Sequence, residues 1–273
     1  MENASFAKNI TLAITGHKDR LAGRLSLLKR GMAVIRDMIG YLRRPHPVAT
    51  REPFTPQALM ALLKLLGFAL LMLPVLGLFM GSIFAATGVS MPEPSSEYKE
   101  VMNRPNFILL AAAMAPLVEE LLFRSWLGKR GGVLWVAPLL LAGLAAIVLV
   151  NSEMTTLGIR AALMLIVLGS FALYIRRYLS LHRDDAALNK ALSRIFPYAF
   201  WGTSIGFGLM HLANYEGGDM GILLPLIILP QFTVGLILGY IRMRFGLLPA
   251  MGFHGAYNTT LLTVFTMLSQ AAP

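Results

Sequence analysis

The chain has 273 residues, of which 56% are hydrophobic and 14% charged, against roughly 25% charged in an average soluble protein. Lys and Arg outnumber Asp and Glu by 24 to 14, which gives a net charge of +10, and the chain contains no cysteine. This composition excludes a disulfide framework, a thiolate metal site and a cysteine nucleophile, and it argues against a soluble globular domain.

Residues 1–56 form a basic segment ahead of the first long apolar stretch. The segment has no apolar run typical of a cleaved signal peptide. Between Leu21 and Leu42, apolar residues recur every three or four positions, which predicts an amphipathic helix. Such a helix either lies on an anionic membrane surface or belongs to a solvated tail that only sets the membrane topology.

Long stretches without charged residues predict a polytopic, all-α membrane protein. Runs of about 20 apolar residues match the ~30 Å hydrocarbon core of a bilayer. The corresponding transmembrane domain covers residues 57–268. We predict about seven transmembrane helices, at 57–86, 106–127, 132–151, 157–175, 195–214, 220–241 and 246–268.

The cationic residues lie mainly in alternate loops between these spans. With the N-terminus in the cytoplasm, the cytoplasmic segments hold 19 Lys and Arg residues, whereas the opposite loops hold only Lys99 and Arg104. This asymmetry predicts a cytoplasmic N-terminus and a C-terminus on the opposite side. Because the positive charges lie in loops between apolar spans, they favour a lipid bilayer as the partner of this protein and not nucleic acid.

The second predicted span contains three ionisable residues, Glu119, Glu120 and Arg124. Each costs about 2.5–3.5 kcal/mol on membrane-insertion scales, so each needs a structural or chemical reason. Glu120 and Arg124 are four residues apart and lie on one helix face, which favours an ion pair between them. Glu119 is rotated by about 100° and has no partner nearby in sequence, which makes it the stronger candidate for chemistry.

The fifth and seventh predicted spans add two histidines and an amide. Phe207 and His211 are four residues apart, as are His254 and Asn258. A lone histidine near a helix end is more often interfacial than catalytic, but here two lie within spans. A buried carboxylate is able to act as a general base toward water, and imidazole and amide groups are able to stabilise an oxyanion. The set predicts hydrolysis of an acyl bond by directly activated water.

These three motifs resemble the signatures of the CPBP family of intramembrane glutamic endopeptidases, which includes CAAX prenyl proteases, bacteriocin-processing enzymes and abortive-infection proteins. The resemblance covers about residues 105–265. It implies that Glu119 and His211 activate water and that His254 and Asn258 form the oxyanion site. It also implies that Glu120, Arg124 and Phe207 support the pocket, that no metal or other cofactor is needed, and that the substrate is a peptide or protein.

Two features of the chain depart from a simple version of this pattern. Glu119 and His211 are 92 residues apart, so two extra predicted spans lie between the first two motifs. In addition, a rise of ~1.5 Å per residue places His211 about 10 Å deeper than the other two motifs. We therefore expect its helix to begin before the span, within about 187–197, or to tilt. Glycine pairs, Gly202 with Gly206 and Gly235 with Gly239, predict close helix contacts.

Three alternatives remain open on the sequence. Glu119, His211 and His254 are suitable ligands for a catalytic zinc ion, although no His-Glu-x-x-His motif is present. Ser204 stands in a Gly-x-Ser-x-Gly string, but a nucleophile elbow needs a preceding strand. A non-catalytic scaffold or immunity protein, or a transporter, is the alternative from a different class, and no inverted repeat typical of transporters is present.

Overall fold

The computed structural model describes residues 32–48, 50–102, 106–129, 132–135, 169–170, 172–216 and 223–271. The described elements are helices apart from one pair of two-residue strands, which confirms the all-α class. Residues 1–31 of the basic segment, most of the predicted third span and the larger part of the fourth lie outside the described residues.

Helix α1, Ala33–Arg43, lies within the stretch predicted to be amphipathic. Its Val34 and Met38 are buried in a core shared with the next helix and with two helices near the C-terminus. Met32 and Ile39, which belong to the predicted apolar face, remain exposed. The helix is therefore fixed to the protein on one side and leaves apolar side chains open on another.

Helix α2, Pro56–Thr87, has 32 residues and matches the first predicted span closely. The Thr55 side chain accepts a hydrogen bond from the Ala58 amide at 3.2 Å, and proline at the first helical position completes the N-terminal signal. The helix ends at Gly88, whose φ of +69° is the left-handed conformation that favours glycine.

The connection after α2 pairs through hydrogen bonds with the segment that follows His211, which is distant in sequence. Strands β1, Glu93–Pro94, and β2, Tyr215–Glu216, pair in antiparallel register. Next to them, the Ser95 amide donates to the Asn214 carbonyl at 2.8 Å. The short helix α3, Ser96–Met102, follows. This pairing holds the segment before α3 against the turn that follows His211.

The second predicted span, 106–127, is helical from residue 107 to residue 124 and ends three residues earlier than predicted. It consists of α4, Phe107–Leu109, a π-helical segment, Leu110–Met114, and α5, Ala115–Arg124. A 3₁₀ turn, Gly132–Trp135, comes next, and residues 172–181 are also helical.

Helix α6, Ala186–Met210, ends in a 3₁₀ turn, His211–Asn214. The Asp185 side chain caps its start by accepting from the Leu188 amide at 2.9 Å. The helix thus begins well before residue 195 and one residue ahead of the range expected from the depth argument.

The C-terminal part of the chain forms the centre of the molecule. Its helices are α7, Leu224–Ile227, α8, Leu229–Arg244, and α9, Leu247–Ala271. Helix α8 is buried over most of its length and contacts α1, α2, α6 and α9. A Cβ atom on Gly239 would lie 2.8 Å from the Phe200 ring, and one on Gly235 would lie 3.3 Å from the Phe207 ring. This confirms the close contact predicted for that glycine pair.

By length and apolar composition, one described helix, α2, is able to cross a membrane. The number rises to two if α3 and Phe107–Arg124 are counted as one broken span. The predicted count of seven spans therefore stays a prediction. One physical reason lies in α8, which has 16 residues and is surrounded by protein. Its apolar side chains pack in the protein core, so their hydropathy alone does not distinguish a buried helix from a membrane span.

Candidate active site

Helix α5 carries the two adjacent carboxylates and follows directly on the π-helical segment. Isolated π-helical turns within α-helices occur frequently at functional sites. Glu120 is fully buried, whereas the Glu119 side chain is 16% exposed. The two carboxylates therefore have different environments, as their rotation around the helix predicts.

The ion pair expected between Glu120 and Arg124 is present and buried. Arg124 Nη1 lies 2.7 Å from Glu120 Oε1, and both side chains are at most 1% exposed. Arg124 Nη2 also donates to the Gly235 carbonyl at 3.4 Å, which links α5 to α8. The guanidinium lies over the Phe207 ring, 4.4 Å from its centroid. A buried charge needs such compensation, because desolvation of an unpaired ion is costly.

His254, on α9, lies between the two carboxylates. Its Nδ1 is 3.1 Å from Glu120 Oε1, and its Nε2 is 3.6 Å from Glu119 Oε2. A carboxylate oxygen only accepts, so Nδ1–H donates to Glu120. The longer Glu119 distance exceeds a normal hydrogen bond. Glu119 Oε2 accepts no hydrogen bond from any residue that the structure describes.

His211 ends α6 and faces the same cluster. Its Nδ1 lies 2.8 Å from the Phe207 carbonyl, and a carbonyl only accepts, so Nδ1 carries the proton. In the neutral ring, Nε2 is then the acceptor nitrogen. Glu119, His254 and Arg124 all act electrostatically on His211. The structure thus brings together ionisable groups from α5, α6 and α9.

The Phe207 ring lies at the centre of this cluster. Its centroid is 4.7 Å from that of His211 and 5.7 Å from that of His254. The Phe123 ring meets it edge to face at 5.7 Å. Phe207 therefore packs against the Arg124 guanidinium and against both imidazole rings.

Asn258 lies one turn beyond His254 on α9, as predicted, and its amide is engaged by the backbone. Asn258 Nδ2 donates to the Ala111 carbonyl at 2.8 Å. That carbonyl belongs to the π-helical segment, where i+5 bonding alters the regular helical ladder. At the same contact, a Cβ atom on Gly255 would lie 2.5 Å from the Ala112 carbonyl oxygen. Asn258 and Gly255 together hold α9 tightly against the segment that precedes Glu119.

The zinc alternative needs three ligands around one point. Among the described residues, no group of three or more His, Asp or Glu side chains has the arrangement of a metal site. As placed here, Glu119, His211 and His254 do not fit a three-ligand zinc centre. We therefore derive no chemical step through a metal ion.

Two further residues contact this region and were not singled out from the sequence. Arg242 is buried and donates from Nε to the Arg124 carbonyl at 2.8 Å, so it caps the end of α5. Tyr98, on α3, lies close enough to Glu119 for the two to interact. Burial, followed by Tyr215 and Glu119 beside it, raises the pKa of Tyr98. In the sequence, Arg242 follows an apolar span and indicates only membrane topology. No sequence pattern indicated a role for Tyr98.

Fold and site together define an all-helical protein with a buried cluster of carboxylate and imidazole groups. Residues 185–260 match the family model of type II CAAX prenyl endopeptidases, Rce1-like. The match contains Phe207, His211, His254 and Asn258. It begins after the Glu119 motif and does not include it. It confirms the family resemblance inferred from the motifs. No curated protein and no solved structure matches the chain.

Proposed function

We propose that the protein is an intramembrane endopeptidase that hydrolyses a peptide bond with water activated by Glu119 and His211. The observation that supports it is the position of His254 between Glu119 and Glu120, together with the electrostatic interaction of Glu119 with His211. The family match supports a protease of the CAAX type. The substrate is a peptide or protein, and the protein is a multi-pass membrane protein with a cytoplasmic N-terminus.

In the proposed reaction, water attacks the scissile carbonyl carbon and loses a proton to the Glu119–His211 pair. Glu119 Oε2 has no protein donor among the described residues, so it is able to accept from a bound water. The proton is then passed to the departing amine as the C–N bond breaks. General acid–base assistance of this kind contributes about 10²–10⁴ in rate.

His254 and Asn258 form the proposed oxyanion site. With Nδ1–H donated to Glu120, His254 is able to donate from Nε2 only in its charged form, in which both ring nitrogens carry protons. Asn258 has a second amide hydrogen besides the one given to Ala111. One such donor is worth about 10²–10³ in rate.

Glu120, Arg124 and Phe207 have supporting roles in this proposal. Glu120 orients His254, Arg124 neutralises Glu120, and Phe207 packs against the rings of both histidines. The reaction as proposed uses no metal ion. Retention of peptidase activity after dialysis against a strong chelator is the expected result, and loss of activity with recovery on adding zinc would favour the metal-dependent alternative.

The proposal is tested with Glu119→Gln and His211→Ala in purified full-length protein. We expect each to lower cleavage of a CAAX-type peptide by at least about 10²-fold, measured by mass spectrometry of the products. Glu97→Gln is the matched control, because Glu97 is an exposed carboxylate on α3. Wild-type activity in Glu119→Gln protein of equal abundance and thermal stability would overturn the role of Glu119, and an absence of cleavage by the wild-type protein itself would point to a non-catalytic scaffold or immunity protein.

A further inference from the structure

A cavity of about 970 Å³ lies between α1, the start of α2 and the end of α8. None of the seven residues of the candidate active site lines it. Its walls include the side chains of two helices that belong to the N-terminal part of the chain, which the family match does not cover. The cavity is therefore a feature distinct from the peptidase site.

The walls of the cavity carry an excess of positive charge. Four cationic side chains line it, against two carboxylates; these are Arg36, Arg44, Lys64 and Arg244, with Asp37 and Glu52. Both carboxylates are already engaged, because Arg244 pairs with each of them. The remaining three cations form no ion pair with any residue in the described part of the chain.

Lys64 places the cavity at a particular depth. It is the only charged residue within α2, Pro56–Thr87. The 23 residues from 65 to 87 measure about 34 Å at ~1.5 Å per residue, and the hydrocarbon core needs ~30 Å. A span that begins just after Lys64 leaves its ammonium group at the level of the lipid phosphates, where a lysine is readily accommodated.

Helix α1 presents a second feature typical of the membrane interface. Met32, Arg36 and Ile39 are spaced four and three residues apart and lie on one face. Met32 is 61% and Ile39 42% exposed. An exposed cation between exposed apolar side chains is the pattern of a helix that lies among headgroups and upper acyl chains.

We infer that this cavity binds the phosphate group of an anionic membrane phospholipid, held by Lys64, Arg36 and Arg44. The three side chains donate charge-assisted hydrogen bonds to the phosphate oxygens, while Met32 and Ile39 contact the acyl chains. The bound lipid links α1 to α2 across the cavity. This inference depends on α2 lying in a bilayer and not on peptidase activity.

The test compares lipids that differ only in headgroup. Full-length protein in neutral detergent is heated with dioleoyl phosphatidylglycerol, with dioleoyl phosphatidylcholine or with inorganic phosphate at the same concentration. We expect phosphatidylglycerol alone to raise the midpoint of thermal unfolding, because a ligand that binds only the folded state stabilises it. An equal rise with phosphatidylcholine would overturn the role of the cations, and an equal rise with inorganic phosphate would overturn the lipid as the source.

The variant Arg36→Gln/Lys64→Gln is expected to lose the extra rise given by phosphatidylglycerol. The matched control, Arg176→Gln/Lys190→Gln, removes two exposed cations elsewhere and keeps the rise. Native mass spectrometry of bound phosphatidylglycerol provides a second readout if the cavity variant is less stable without lipid. Full retention of the rise and of bound lipid in the cavity variant would overturn the inference.

Discussion

Phe207 illustrates how one residue connects the groups of the candidate site. Its ring carries the Arg124 guanidinium on one face, and its carbonyl accepts from His211 Nδ1. The main-chain contact fixes the tautomer of the imidazole, while the side-chain contact holds a buried cation in place. Phe207 therefore contacts Arg124, the residue that neutralises Glu120, and also orients the His211 ring.

At the same scale, the Glu120–Arg124 pair makes a quantitative prediction. Arg124→Ala leaves the Glu120 carboxylate buried without its main counterion, and removing one partner of a buried pair costs about 3–5 kcal/mol. We expect a loss of that size in the free energy of unfolding, measured by equilibrium denaturation in detergent. Neutralising both partners with Glu120→Gln/Arg124→Met should recover part of the loss.

The control for this prediction is the exposed pair between Lys99 and Glu93. Their side chains are 50% and 78% exposed, and surface ion pairs contribute roughly 0–1 kcal/mol. Glu93→Gln should therefore change stability by no more than about 1 kcal/mol. Equal losses in Glu93→Gln and Arg124→Ala would contradict the structural role assigned to the buried pair.

At the scale of elements, the site depends on how closely α9 approaches the π-helical segment before α5. Asn258 donates across this contact to Ala111, and His254 reaches both carboxylates from the same helix. A backbone approach this close requires glycine, since a side chain would occupy the space between the helices. The position of His254 therefore depends on Gly255 as well as on its own partners.

This predicts a specific effect of Gly255→Ala. The new Cβ atom would lie 2.5 Å from the Ala112 carbonyl oxygen, so α9 must move away and carry His254 and Asn258 with it. We expect a loss of peptide cleavage of at least about 10²-fold, the scale of one misplaced oxyanion donor, measured by the product assay described for Glu119→Gln.

Gly252→Ala on the same helix is the matched control. Nothing lies within 4 Å of a Cβ atom at that position, and alanine is the better helix former by about 1 kcal/mol. Activity should stay at the wild-type level and stability should be unchanged or higher. A similar loss in both variants would show that the helix, and not the close contact, is the sensitive feature.

The helix boundaries show where a sequence pattern alone is insufficient. The apolar run located α2 almost to the residue, because the helix is capped by Thr55 and Gly88 close to both ends of that run. The pattern placed the start of the span that contains His211 at 195, whereas the helix, α6, begins at Ala186. The charged residues between these positions interrupt the apolar run but not the helix. Hydropathy therefore locates the apolar part of a helix and not its first residue.

At the scale of the whole molecule, the predicted topology places the N-terminus in the cytoplasm and the C-terminus on the opposite side. The chain has no cysteine, so single cysteines are able to report the side of the membrane directly. Ser90 and Ser180 are both exposed, and they lie in predicted loops of opposite sides. They form a matched pair of reporter positions.

We expect Ser90→Cys to react with a membrane-impermeant maleimide in intact cells and Ser180→Cys to react only after the membrane is permeabilised. The reason is the positive-inside rule, which keeps the Lys- and Arg-rich loops in the cytoplasm. Labelling is measured by the mass shift of the purified protein. The reverse pattern, or equal labelling of both positions in intact cells, would contradict the predicted orientation.

The sequence alone determined those properties that depend on residue type and local spacing. The all-α class followed from apolar runs, and the Glu120–Arg124 ion pair followed from a separation of four residues on one helix. The family resemblance followed from three short motifs, of which the second and third lie within the matched region. These properties need no knowledge of how one helix lies against another.

The tertiary structure decided which distant groups meet. Three features depend on the positions of the helices. His254 lies between Glu119 and Glu120, Asn258 binds the Ala111 carbonyl, and a cationic cavity lies beside α1. Such contacts join residues far apart in the chain, and close packing makes them sensitive to shifts of a few tenths of an ångström. Local periodicity gives the face of a helix, and only packing of the whole chain determines what that face meets.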